Sequence, residues 1–357
     1  MATVAKADKI TVSLDQAEPL VIDVLKPFLV PMLVSSPGIG KSALAYQIAG
    51  RHKLMVIDVR LSQADPTDLN GFPWITTNDE GVQKKIKAGY VPMETFPVVG
   101  DELPEGYDGW LLLMDEMNSC TKAVEAASYK IVLDRMVGQH KLHPKCMVMA
   151  AGNLKTDKAI VNTTGTAMQS RLIWLEIHAC IKAWLKWADR PESDIDHRVK
   201  SFLQFKPDLL HKFDPNHSDR TFPCPRTWEF MSKIIKPWKM VGYEKTPLLA
   251  GTVGVGPSRE FYSYCQVFEE IPSFEAIIKN PEGVTIGNEP SIHYALAGMV
   301  GSRMCAANTE PLIKFVSRLG VDFQVATIRS AIARDREIKK TDSFKTWFSR
   351  NAKELVY

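Results

Sequence analysis

Ser35-Ser36-Pro37-Gly38-Ile39-Gly40-Lys41-Ser42 is the stretch whose reading decides the fold. Before it, Phe28 to Val34 reads as a buried strand; after it, Ala43 to His52 reads as a helix. The stretch follows the phosphate-loop pattern G-x-x-x-x-G-K-[ST] except at Ser35, which stands where the first glycine is expected. Gly38 and Gly40 permit positive φ, so successive N–H groups can turn inward around phosphate oxygens. The start of the helix adds the positive end of its dipole. Lys41 is then placed to reach the β- and γ-phosphates of ATP and the Ser42 hydroxyl to hold Mg²⁺. Ser36, Pro37, Gly38, Ile39, Gly40 and Ala43 complete the nucleotide cradle.

Outward from the loop, further strands are expected. Leu54 to Val59 and Cys146 to Ala151 are short apolar runs, Trp110 to Met114 is fully apolar, and Arg171 to Ile177 supplies one more. Helical spacing precedes the first strand at Gln16 to Leu25 and recurs at Thr121 to Arg135. Ser62 to Asp108, rich in Gly, Pro and Asp, reads as long loops with short elements. Strands alternating with helices to about residue 180 define an α/β fold with a doubly wound parallel sheet. Beyond it the strand signal fades, and helices are expected at Ile181–Ala188, Asp196–Phe205, Arg226–Ile235 and Ser258–Glu270, and again from Ser291 onward. The expected organisation is a P-loop α/β core over 1–180, an all-α lid over 181–245 and a C-terminal helical extension over 246–357.

Leu111-Leu112-Leu113-Met114-Asp115-Glu116 ends a buried strand in two adjacent carboxylates. Open parallel sheets bind ligands at the carboxyl ends of their strands, which suits Asp115 to Mg²⁺ and Glu116 to polarising an attacking water. A kinase acting on an acceptor has no use for that second carboxylate, so Glu116 favours hydrolysis. Asn153 closes the strand Met147-Val148-Met149-Ala150-Ala151-Gly152 and can sit between the carboxylates and the γ-phosphate. Arg171 and Arg226 are guanidinium candidates for the charge that develops during transfer, in cis or from a neighbouring subunit.

These elements resemble the AAA+ ATPases, and within them the MoxR-like proteins of bacteria and phage. Ser35–Ser42 matches the Walker A position, Leu111–Glu116 Walker B, and Ala150-Ala151-Gly152-Asn153 the sensor-1 strand end. The long run from Asp58-Val59-Arg60-Leu61-Ser62-Gln63-Ala64-Asp65-Pro66 to Thr67-Asp68-Leu69-Asn70-Gly71 is similar to the segment after the second strand in MoxR-like proteins. Gly251 to Ile277 resembles their C-terminal helical part. The resemblance implies Lys41 and Ser42 as nucleotide and Mg²⁺ ligands, Asp115 as the metal-associated carboxylate and Glu116 as catalytic base. It implies Asn153 as sensor 1, Arg226 as sensor 2 and Arg171 as arginine finger, with Arg198 and Arg220 also in range for the finger. It further implies a homo-oligomeric ring, usually a hexamer, a remodelling or chaperone role, and a partner protein with a von Willebrand factor A domain. The alternative from another class is a nucleic-acid motor or loader built on the same core.

Other features take bland readings. A formal charge of +3 does not by itself indicate nucleic-acid binding. The six cysteines lack a CxxC pair, which argues against a zinc cluster and a secreted disulfide framework. His140-x-x-His143 fits no zinc spacing and is expected to be structural. Trp184, Trp187, Trp228 and Trp238 are expected to pack the lid, and the basic Arg329 to Lys340 segment to be a solvated helix face. No signal peptide or membrane span is expected, which places the protein in the cytoplasm.

Overall fold

The computed structural model describes residues 10–78, 85–154, 165–216 and 219–351. The chain divides into two compact units, with the boundary between His178 and Ala179.

The first unit contains strands β1 (Thr11–Val12), β2 (Val30–Ser35), β3 (Leu54–Arg60), β4 (Phe72–Asn78), β5 (Lys85–Val91), β6 (Gly109–Asp115), β7 (Met136–Val137), β8 (His140–Lys141), β9 (Cys146–Asn153) and β10 (Leu172–Ile177). Its helices are α1 (Leu14–Leu25), α2 (Lys41–Arg51), α3 (Pro66–Asn70), α4 (Lys122–Asp134) and the single turn α5 (Thr166–Gln169). Six strands form one sheet in the order β1-β10-β2-β9-β6-β3, and every neighbouring pair is parallel. All carboxyl ends therefore share one edge, as the expected parallel α/β fold requires.

Alternation assigns the two faces of the sheet. Met32 and Val34 of β2, Leu112 and Met114 of β6 and Val148 and Ala150 of β9 form one core with Val124, Ile131 and Val132 of α4. The intervening Leu33, Leu111, Leu113 and Met149 are also buried, and α1 and α2 lie along β2 and β6. Both faces are thus covered, which is why these strands read as unbroken apolar runs.

One expectation needs correction. The strand expected from Phe28 starts at Val30, because Phe28 takes left-handed backbone (φ 60) in the turn leaving α1. The short elements expected within 62–108 are α3 and the antiparallel hairpin β4–β5. Gly71 enters that hairpin at φ 83, where any Cβ would run into the Val91 carbonyl.

The second unit is helical, with no strand among its described residues. It comprises α6 (Ile181–Ala188), α7 (His197–Phe205), α8 (Pro225–Ile235), α9 (Thr246–Val253), α10 (Val255–Glu270), α11 (Phe274–Lys279), α12 (Pro290–Arg303), α13 (Thr309–Val316), α14 (Val321–Arg334) and α15 (Asp342–Asn351). One apolar cluster spans Trp184 to Ala295 and centres on Phe202, whose ring lies 5.2 Å from Phe261 and 5.4 Å from Trp228. Trp184 and Trp228 are buried in it, and Trp187 and Trp238 pack against it. A second cluster runs from Ile277 to Trp347. Among the described residues, no helix is long and apolar enough to cross a membrane.

Candidate active site

The carboxyl edge of the sheet brings the expected groups together. β2 ends at Ser35, and the loop Ser36-Pro37-Gly38-Ile39-Gly40 returns the chain to α2 with Gly38 at φ 76 and Gly40 at φ 117. Positive φ at both is the conformation that glycine adopts without steric cost. The first helical bond of α2 runs from Leu44 N–H to the Gly40 carbonyl, so the amides of the preceding turn, including Ser42 and Ala43, precede the helical ladder.

Lys41 folds back over its own loop and is only 8% exposed. Its Nζ donates to Ser35 Oγ at 2.9 Å, to the Ser35 carbonyl at 3.3 Å and to Asn153 Oδ1 at 3.2 Å. The departure at Ser35 thus has a local use. A glycine there would lack the hydroxyl that anchors the lysine, and Ser35 keeps ordinary strand backbone because it is the last residue of β2.

Ser42 Oγ donates to Asp115 Oδ2 at 2.7 Å, bridging α2 to the end of β6. The other carboxylate oxygen, Oδ1, accepts the Glu116 N–H at 2.8 Å. A hydroxyl beside a carboxylate is a hard-oxygen donor pair of the kind Mg²⁺ takes, so these residues fit the ion. Glu116 has left-handed backbone, φ 55 and ψ 31. For a glutamate that conformation costs on the order of 1 kcal/mol or more, and such strain clusters at functional sites. Its carboxylate accepts a hydrogen bond from the Ser62 hydroxyl. Ser62 follows β3, the neighbour of β6, with Arg60 in register with Asp115.

Asn153 ends β9, between β2 and β6 in the sheet. Its backbone is held by Asn118, which lies in the short turn after Glu116. Neither Ser62 nor Asn118 figures among the expected site residues. The only sequence signal for either is its nearness to a motif, since their partners lie far away along the chain.

Arg171 falls elsewhere in the first unit. Arg171 precedes β10, whose first residue, Leu172, is in register with Val30 at the start of β2. It therefore sits at the amino edge, about 20 Å of strand away from Ser35 at a rise of ~3.3 Å per residue. Its guanidinium donates to the Ala167 carbonyl and lies 5.9 Å from the Tyr129 ring. Arg226 is exposed in the first turn of α8, in the second unit. Arg198 is committed to structure: 5% exposed, it pairs with Asp196 and caps two carbonyls. Arg220 is exposed.

The two histidines serve separate local contacts. His140 Nε2 lies 2.8 Å from the Tyr90 carbonyl, whereas the His143 ring packs edge-on to Trp110. No cluster of three potential metal-binding His, Cys, Asp or Glu side chains occurs among the described residues.

No family model and no curated relative matches the chain. Similar solved structures include the Thermotoga maritima RuvB Holliday junction branch migration motor, at 16% identity over 75% of this chain and 74% of that one, with a TM-score of 0.34. NtrX from Brucella abortus is another, at 14% identity over 91% of this chain and 68% of that one, with a TM-score of 0.38. Likenesses this remote carry no argument about activity.

Proposed function

We propose that the chain is an ATP-hydrolysing AAA+ protein of the MoxR-like kind. One observation carries the reading. Lys41, Ser42, Asp115, Glu116 and Asn153, drawn from three separate strand ends, converge on one edge and are joined by the Lys41–Asn153 and Ser42–Asp115 hydrogen bonds. On this reading Lys41 and the first-turn amides of α2 take the terminal phosphates. Ser42 and Asp115 would hold Mg²⁺, which when bound neutralises phosphate charge. Glu116 orients the attacking water and accepts its proton, and the Ser62 hydroxyl holds its carboxylate. Asn153 directs its amide toward the γ-phosphate.

Arg171 is too far from its own loop to serve it, which supports a finger acting on a neighbouring subunit and hence a ring, with six subunits as the proposed number. Arg226 is the proposed second sensor, on a lid at the start of the helical unit. Protein remodelling, and a partner with a von Willebrand factor A domain, rest on the resemblance of the 58–71 run and of Gly251 to Ile277 to MoxR-like proteins.

The test is phosphate release from Mg²⁺–ATP by wild type and by Glu116→Gln. Release by wild type and near-abolition in the variant are expected; phosphate appearing on an acceptor instead would point to a kinase. A second reading, a nucleic-acid motor, draws on the hairpin β4–β5, where Phe72 and Trp74 are 56% and 61% exposed, since exposed aromatics can stack on bases. Strong, salt-dependent stimulation by DNA would favour it over remodelling.

A further inference from the structure

Asn118 is 8% exposed and lies in the 3-10 turn Met117–Ser119, immediately after Glu116. Its side-chain amide faces the backbone of Asn153. Nδ2 donates to the Asn153 carbonyl at 2.6 Å, and Oδ1 accepts the Asn153 N–H at 3.0 Å. The backbone pairing of β6 with β9 ends at Met114 and Ala150. Further along β9, Asn118 supplies what a neighbouring peptide would supply, one donor and one acceptor in a plane. On the other side Asn153 is in register with Ser35 of β2, and its Oδ1 accepts from Lys41. The clamp occupies space that only a glycine leaves open. A Cβ on Gly152 would come within 2.8 Å of Met32 Cε and closer still to Asn118 Oδ1.

Glu116 and Asn118 therefore share one tight turn, and that turn grips the residue whose amide meets the phosphate-loop lysine. We propose that Asn118 is a positioning residue that ties the Glu116 turn to Asn153, so that carboxylate and amide take up the geometry of hydrolysis together. This rests on the ATPase reading. The competing account is a buried amide that merely satisfies two backbone groups and so affects stability alone.

The two accounts part in kinetics measured well below the melting temperature. Asn118→Ala and Asn153→Ala are each expected to lower kcat roughly 10- to 100-fold with the ATP dissociation constant changed less than about threefold. The double variant should fall no more than about threefold below the worse single one, because Asn153→Ala keeps the backbone groups that Asn118 grips but removes the amide that the grip positions. Should Asn118→Ala not fold, Asn118→Asp decides. The carboxylate keeps the acceptor for the Asn153 N–H but repels its carbonyl, and protonation restores a donor. The kcat of Asn118→Asp relative to wild type should therefore rise as the pH is lowered.

Wild-type kcat in Asn118→Ala, independent multiplicative losses in the double variant, or an Asp variant whose pH profile parallels wild type would each overturn the proposal while leaving the ATPase reading intact. A wild type that neither binds nor hydrolyses ATP overturns both.

Discussion

Replacing Arg198 with alanine separates a structural arginine from a catalytic one. Arg198 Nη2 meets Asp196 Oδ2 at 2.8 Å and Nε meets Asp196 Oδ1 at 3.0 Å, a two-pronged pair with both side chains under a tenth exposed. The remaining donors reach the carbonyls of Trp238 at 2.9 Å and Ile235 at 2.8 Å, just beyond the end of α8 and at its last residue. Alanine leaves the Asp196 carboxylate with the Arg198 backbone N–H and, at 3.7 Å, the His197 ring. It also strips two helix-end carbonyls of a charged donor. Removing one member of a buried pair costs about 3–5 kcal/mol, chiefly because the other charge stays buried. With a urea dependence of about 2–3 kcal/mol per molar, the unfolding midpoint of the helical unit should drop by roughly 1–2 M. Urea titration followed by tryptophan fluorescence reads it, since Trp184, Trp187, Trp228 and Trp238 all belong to this unit. Lysine should recover little, lacking the planar fork that serves Asp196 and the carbonyls at once. ATP hydrolysis per folded molecule should be unchanged. A midpoint shift below about 0.3 M, or a fall in kcat at unchanged stability, refutes the reasoning and returns Arg198 to the finger candidates.

Lys41→Ala removes a buried cation from the loop and should weaken ATP binding about 10- to 100-fold by calorimetry. Glu116→Gln should bind ATP normally yet hydrolyse it roughly 10²- to 10⁴-fold more slowly; normal turnover would defeat the base assignment. Arg171→Ala should be nearly inactive, and mixing it with Glu116→Gln should restore some hydrolysis at sites built from one intact half of each. No recovery in mixed oligomers would count against a finger acting between subunits. Burial lowers the His197 pKa to about 4, against a pull upward from Asp196 and a further push down from Arg198, Arg303 and Lys200. The unfolded chain takes up that proton near 6.5, the folded one only near 4, so stability is full above 6.5 and declines as the pH falls toward 4. The decline amounts to at most about 3 kcal/mol, the side chain being still 22% exposed. His197→Gln should flatten the slope, and an unchanged slope would refute this assignment.

The sequence code was most legible where it is local. A fully covered parallel strand is a short apolar run, so β6 and β9 showed themselves directly, and α6 appeared at Ile181–Ala188 as its spacing predicts. The hairpin β4–β5 stayed hidden because the alternation that betrays a half-buried strand is missing. Phe72, Trp74 and Ile75 are all more than half exposed, and Pro73 breaks the pattern further. Asn118, Ser62 and the anchoring role of Ser35 were illegible for another reason. Each depends on which strands are neighbours, and no local pattern in β3, β6 or β9 records the order of the sheet.

That distinction explains why the groups expected at the site share one edge. In a parallel sheet every strand ends on the same edge whatever the order, so a phosphate loop, an acidic pair and an amide that each follow a strand must share that edge. Parallelism alone delivers Lys41, Asp115, Glu116 and Asn153 to one place; the β2-β9-β6 order then decides that Asn153 meets Lys41 and that Asn118 can reach Asn153. The same logic sends Arg171 away. It precedes β10 rather than following it, so in any parallel order it lies at the opposite edge from its own loop. A role for Arg171 in phosphoryl transfer therefore demands a second subunit, and the mixing experiment tests that geometry directly.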